Sequence, residues 1–251
     1  MSVKKYIPNF ITLLNLFCGS IAVVFAVHNN FIATAIFVFL GIFFDFFDGL
    51  LARKFNVQGP LGVQLDSLAD MVTSGLVPGI VMYKLIAMSM NIPEMATETE
   101  WSSNLTLDLS SISMIPLIGL CVTLASAYRL AKFNIDEDQQ SYFKGLPTPA
   151  NTLLIISLPL IIEFQNSGIF NALISNQWFL IAVTVACCYL LNSNIKLFAL
   201  KFKNFSFRDN TFRYALIVIS ILLLMLFHFV AIPLIIVLYI ILSVIKNLTT
   251  N

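Results

Sequence analysis

The chain has 251 residues, of which 59% are hydrophobic and only 11% charged, with 23 phenylalanines and a formal net charge of +1. That balance excludes an ordinary soluble domain, and a chain so near neutral gives no reason to expect a nucleic-acid partner. Apolar runs recur in chain order at roughly 10–28, 31–53, 63–88, 114–133, 149–164, 174–192, 212–228 and 230–247. Most approach the ~20 residues that a membrane-crossing helix needs. The last two are separated by so little that seven helices is the alternative to eight. The short alternating segments of a β-barrel are not seen. The expected fold is therefore all-α, a polytopic helical bundle in the lipid bilayer, with 1–251 as a single membrane domain.

The first run carries Asn9, Thr12 and Asn15, which would weaken the apolar core of a cleaved signal. It reads as an uncleaved first helix whose opening, Lys4 to Pro8, can lie along the interface. All of the 14 Lys and Arg except Lys84 fall at the termini or at the junctions of runs two and three, four and five, and six and seven. Positive charge favours the cytoplasmic side, so both termini are expected inside, in a cell membrane. The opposite face takes the acidic loop "NIPEMATETEWSSNLTLDLSS" and, at helix ends, His28 and His228. Cys18, Cys121, Cys187 and Cys188 lack the spacing of a zinc site or disulfide framework and read as small buried apolar residues.

The stretch "DFFDGLLARKFNVQGPLGVQLDSLAD" puts Asp45, Asp48, Asp66 and Asp70 into this apolar setting. Spacings of three and four place each pair on one helix face. Gly59 and Pro60 read as the turn between helices two and three. Folding that turn brings both pairs to one depth, facing each other near the cytoplasmic surface. A charged residue at mid-membrane costs ~3 kcal/mol on insertion scales, less near the interface, and four acids together also repel. Arg53 and Lys54 do not balance them, whereas an all-oxygen ligand set suits a hard divalent ion, with room for two. Paired ions clamp a pyrophosphate, so the cradle points to phosphoryl chemistry. Gly49 and Ala52 leave the helix bare beside it, and Arg53 offers a planar fork to a phosphate.

These residues carry a resemblance. Asp-x-x-Asp-Gly-x-x-Ala-Arg, eight residues, then Gly-x-x-x-Asp-x-x-x-Asp is the signature of the CDP-alcohol phosphatidyltransferases, matched at Asp45, Asp48, Gly49, Ala52, Arg53, Gly62, Asp66 and Asp70. The resemblance implies an enzyme with a six-helix catalytic core that displaces CMP from a CDP-linked lipid with an alcohol. It implies two divalent ions, Mg²⁺ or Mn²⁺, on Asp45, Asp48 and Asp66. It places Asp70 at the metal site as the catalytic base, Gly49, Ala52, Arg53 and Gly62 along the CDP pocket, and the chain in a homodimer. The opening "IPNFITLLNLFCG" and the segment "YRLAKFNIDEDQQSYFKGLPTPAN", 128–151, resemble integral-membrane phosphatidylserine synthases. The substrates so implied are CDP-diacylglycerol and L-serine.

Read from the residues, Arg129, Lys132 and Lys144 bracket a cytoplasmic loop where a carboxylate can be captured, Arg129 foremost. Asn9, Thr12 and Asn15, three apart, are expected to hydrogen-bond cytosine and ribose, the other reading being contact with a neighbouring helix. Two rivals stand beside this function: an acceptor such as glycerol 3-phosphate or an inositol compound, and a cation transporter, which would need acids near the midplane.

Overall fold

The computed structural model describes residues 6–92, 113–135, 142–165, 167–198, 206 and 210–250. Lys4, Lys5, the acidic loop beyond Ile92, Lys201, Lys203 and Arg208 lie outside the described residues.

Helices α1 (Ile7–Val27) and α2 (Phe31–Lys54) are joined by a tight turn in which Asn29 takes a φ of 56°. Asn30 caps α2 by accepting the Ala33 N–H at 3.1 Å. At its other end α2 stops at Asn56, φ 54°, where the Val57 N–H reaches back to the Ala52 carbonyl at 3.0 Å. Gly59 is extended, and Pro60 opens α3 (Pro60–Asp70) at a position where its missing N–H is no loss. A π-helical turn (Met71–Leu76) leads straight into α4 (Val77–Ser89), giving one stretch of 30 residues. The expected third run is thus a single span, but the π turn inside it was not foreseen.

A short 3₁₀ segment precedes α5 (Cys121–Ile135). After β1 (Tyr142–Lys144) come α6 (Thr148–Gln165), α7 (Gly168–Ile174), α8 (Gln177–Asn192) and β2 (Lys196–Phe198). The sixth run, expected over 174–192, starts at Gln177, because Asn176 caps α8 and α7 meets it at a bend of 69°. β1 and β2 pair antiparallel, Tyr142 opposite Phe198 and Lys144 opposite Lys196, a ribbon added to the expected all-α bundle. Gly145, with φ +75°, turns the chain out of β1 against the C-terminal carbonyls of α8, and the Leu146 N–H bonds the Leu190 carbonyl at 2.8 Å. The Gly-Leu-Pro element of the sequence is this corner.

Among the described residues six stretches are long and apolar enough to cross a membrane, or up to seven if α7 and α8 form one span. One of the six, Thr211–Thr249, contains α9 (Thr211–Phe227) and α10 (Ala231–Thr250), and it folds back on itself at His228, φ 46°. Gln165, ending α6, donates to the Phe227 carbonyl and accepts the Val230 N–H, both at 2.8 Å. At the opposite end of the bundle Asn247 donates to the Lys196 carbonyl at 2.7 Å. The seventh and eighth expected runs are therefore the two arms of a hairpin.

The larger core joins Ala22, Ala26, Val38, Val81, Met82 and Ile155 at mid-bundle. A smaller one gathers Leu146, Leu197, Phe198, Leu216, Ile236 and Tyr239 around the ribbon. Small residues at the helix contacts let the backbones approach, as membrane packing requires. Cys18 and Cys187 are buried as expected, but Cys121 is exposed on the bundle surface; all four thiols are free.

Candidate active site

Asp45 and Asp48 near the end of α2 meet Asp66 and Asp70 of α3, as the turn between them dictates. Carboxylate oxygens of Asp45, Asp48 and Asp66 lie within 4.8 Å of one another. The Asp45 and Asp66 carboxyls are within hydrogen-bonding reach of each other. Two carboxylates so close need a shared proton or a cation between them. Asp66 Oδ1 is buried without a partner among the described residues. Asp48, 5% exposed, accepts a hydrogen bond from Thr12 Oγ1 at 2.5 Å. An oxygen-only cluster with an unpartnered oxygen fits a hard divalent cation. Asp70 sits one turn beyond Asp66, within electrostatic reach of Asp45, Asp48, Asp66 and Arg129.

A cavity of about 410 Å³ opens beside the acids, lined by Asn9, Thr12, Asp48, Gly49, Ala52, Arg53, Gly62 and Asp66. The four residues that the resemblance places along the CDP pocket, Gly49, Ala52, Arg53 and Gly62, all line this cavity. A Cβ on Gly49 would lie 3.9 Å from Arg53 Nη2, so the guanidinium folds back over the bare turn. Gly62 lets α3 approach Asn9, whose Oδ1 would be 3.4 Å from an added Cβ.

Arg129, Lys132 and Lys144 line a second, narrow slot together with Asn192 and Ser193. Arg129 is 8% exposed and its Nε has no partner among the described residues. Lys144 arrives there on β1, held by pairing to β2. Asn134, in the same "RLAKFN" element, ties α5 to α3 by donating from Nδ2 to Ser67 Oγ at 2.9 Å.

Asn15 is a correction. It is fully buried and does not line the cavity with Asn9 and Thr12; its amide donates from Nδ2 to Asp70 Oδ1 at 3.5 Å and accepts from Thr73 Oγ1 at 2.8 Å. The helix-contact alternative holds for this position.

The residues missed from the sequence are neutral. Ser74 Oγ, Ser126 Oγ and both amide atoms of Asn151 are buried without partners among the described residues. Ser126 packs on the π turn at Gly75, and Thr152, next to Asn151, donates to the Ser74 carbonyl at 2.9 Å. The available signal was spacing: Ser74 follows Asp70 by four and Ser126 precedes Arg129 by three.

Residues 5–190 match the CDP-alcohol phosphatidyltransferase family. A CDP-diacylglycerol–serine O-phosphatidyltransferase of Bacillus subtilis is 30% identical over 180 residues, covering 68% of this chain and 88% of that protein. One from Methanocaldococcus jannaschii is 31% identical over 176 residues, 69% of this chain and 70% of its own. An archaetidylserine synthase of Methanothermobacter thermautotrophicus is 26% identical over 182 residues, 71% of this chain and 65% of its own. With the signature positions gathered on α2 and α3 around the acid cluster and its cavity, and residues 5–190 matched, this protein belongs to the CDP-alcohol phosphatidyltransferase family.

Proposed function

We propose that the chain transfers the phosphatidyl group of CDP-diacylglycerol to the hydroxyl of L-serine, releasing CMP, with both termini and the site on the cytoplasmic side of the cell membrane. One observation carries the reading: carboxylate oxygens of Asp45, Asp48 and Asp66 cluster within 4.8 Å beside a cavity lined by Gly49, Ala52, Arg53 and Gly62. Arg129, which lines the separate slot with Lys132 and Lys144, is within electrostatic reach of Asp70, the proposed base. Relatives named for serine supply the acceptor, and the basic residues gathered at the site end supply the orientation.

Asp45, Asp48, Asp66 and Asp70 would hold two divalent ions, Mg²⁺ or Mn²⁺. Such ions neutralise the pyrophosphate and the charge that develops on the departing phosphate. Asn9, Thr12, Gly49, Ala52 and Gly62 shape the cavity for the CDP moiety. Arg53 meets a pyrophosphate oxygen from over Gly49. Arg129, with Lys132 and Lys144 behind it, takes the serine carboxylate. Asp70 accepts the proton from the serine hydroxyl, whose oxygen forms a new bond to the lipid-bearing phosphorus while the bond from that phosphorus to CMP breaks. Ser74, Ser126 and Asn151 support a small, polar acceptor, since unpartnered buried donors and acceptors are rare unless something fills their needs.

The test is purified protein with CDP-diacylglycerol and each of serine, glycerol 3-phosphate and inositol 1-phosphate, with and without chelator. Serine is expected to give phosphatidylserine and CMP, and chelator to stop both. Turnover with another alcohol but not with serine would overturn the acceptor, and undiminished turnover in chelator would overturn the metals.

A further inference from the structure

Behind Asp70 the chain makes a small device that touches neither the proposed donor nor the proposed acceptor. The π turn begins at Met71, directly after Asp70, and places Thr73 against α1. Irregular turns of this kind concentrate at functional sites. Thr73 is fully buried. Its Oγ1 lies 2.8 Å from Asn15 Oδ1 and 3.2 Å from the Asn15 carbonyl. Gly19 and Gly41 form its slot: a Cβ on Gly19 would collide with Thr73 Oγ1. One on Gly41 would stand 2.7 Å from Thr73 Cγ2 and 2.9 Å from Asn15 Oδ1. Two glycines on two helices therefore leave room for one hydroxyl and one amide.

The polarity of this chain of contacts is fixed. An ionised carboxylate only accepts hydrogen bonds, so the Asn15 amide must turn Nδ2 to Asp70 and leave Oδ1 pointing away. That oxygen is buried and needs a donor, which the Thr73 hydroxyl provides. We infer that Thr73 is a positioning residue: through Asn15 it holds the Asp70 carboxylate in the orientation that receives the acceptor's proton. The same arrangement of an outer partner fixing an inner ligand is general in metal sites, where its loss typically diminishes activity or metal affinity about 10–100-fold.

The inference rests on the role proposed for Asp70, and the experiment separates the two. Thr73→Val keeps the shape and loses the hydroxyl; Thr73→Ser keeps the hydroxyl and loses the methyl. With CDP-diacylglycerol and serine, the valine enzyme is expected to lose ~10–100-fold in kcat with little change in KM for serine, and the serine enzyme to stay near wild type. A residue that only fills the slot gives the reverse order, and that result overturns the inference. Should the valine protein not accumulate, Thr73→Ala against Thr73→Ser decides, since both lack the methyl and only one has the hydroxyl. Equal kcat values for that pair overturn it too. If wild-type protein itself does not release CMP with serine, the acceptor reading fails instead, and the same comparison is run with the alcohol that does react.

Discussion

Replacing Asp66 by Asn should make the metal-free protein more stable while removing its function. The oxygens of Asp45, Asp48 and Asp66 lie within 4.8 Å. Two full charges at that separation repel by about 3 kcal/mol at an effective dielectric near 20, a value suited to partly solvated sites. A shared proton relieves part of this, so the gain from Asp66→Asn ranges up to about 3 kcal/mol. The new amide also brings an N–H to the Asp45 carboxylate in place of a second acceptor. The assay is thermal unfolding of detergent-solubilised protein in chelator and in excess Mg²⁺ or Mn²⁺. In chelator the variant should melt several degrees above wild type, at roughly 2–4 °C per kcal/mol for a chain of this size. With metal the order should close or invert, because wild type gains binding free energy that the variant has lost. A variant less stable than wild type in chelator would refute the reasoning. So would equal stabilisation of both proteins by metal, since either result means the cradle is not held apart by its own charge.

Asp70→Asn should reduce CMP release with serine by ~10²–10⁴-fold, the usual contribution of a positioned base; near wild-type turnover refutes the base role. On the proposed reading, Asn151→Leu should raise KM for serine about tenfold or more and leave KM for CDP-diacylglycerol alone, since both atoms of this buried amide lack a partner among the described residues. Steady-state kinetics with each substrate varied checks it. Gly145→Ala forces a side chain onto a φ of +75° against α8 carbonyls, so it should cost ~1–3 kcal/mol of stability, read as a lower melting temperature.

The sequence displayed the acid cradle well because its logic is local. Spacings of three and four on two helices joined by Gly59 and Pro60 leave few ways to arrange four carboxylates. The lining of the cavity beside the acids was legible for the same reason, since Gly49, Ala52, Arg53 and Gly62 ride on those helices. What failed depended on the third dimension. Asn15 and Thr12 sit three apart, yet one lines the cavity and the other is buried against Thr73, because the π turn of a different helix decides which face is covered. No hydrophobic period announces a π turn. Ser74, Ser126 and Asn151 look like ordinary small polar residues in apolar helices, and only their burial without partners singles them out. The ribbon was hidden for another reason: three-residue strands are too short to show an alternation.

The part of the chain beyond the family match still bears on the site. The match ends at residue 190, before β2 and the α9–α10 hairpin. Tyr239 of α10 donates its hydroxyl to the Phe198 carbonyl at 2.9 Å and packs edge-on against the Phe198 ring. Asn247 holds the Lys196 carbonyl at 2.7 Å, and the Lys246 ammonium lies 5.3 Å from the centre of the Phe198 ring. Those contacts fix β2, β2 fixes β1 through its pairing, and β1 carries Lys144 to the slot beside Arg129. Leu146, 1% exposed, sits in the same small core as Tyr239 and anchors the start of α6 just before Asn151. The acid cradle needs none of this, being complete on α2 and α3. On the proposed reading the C-terminal hairpin thus supports the acceptor side of the site, and damage to it should impair use of the alcohol before it impairs capture of the nucleotide.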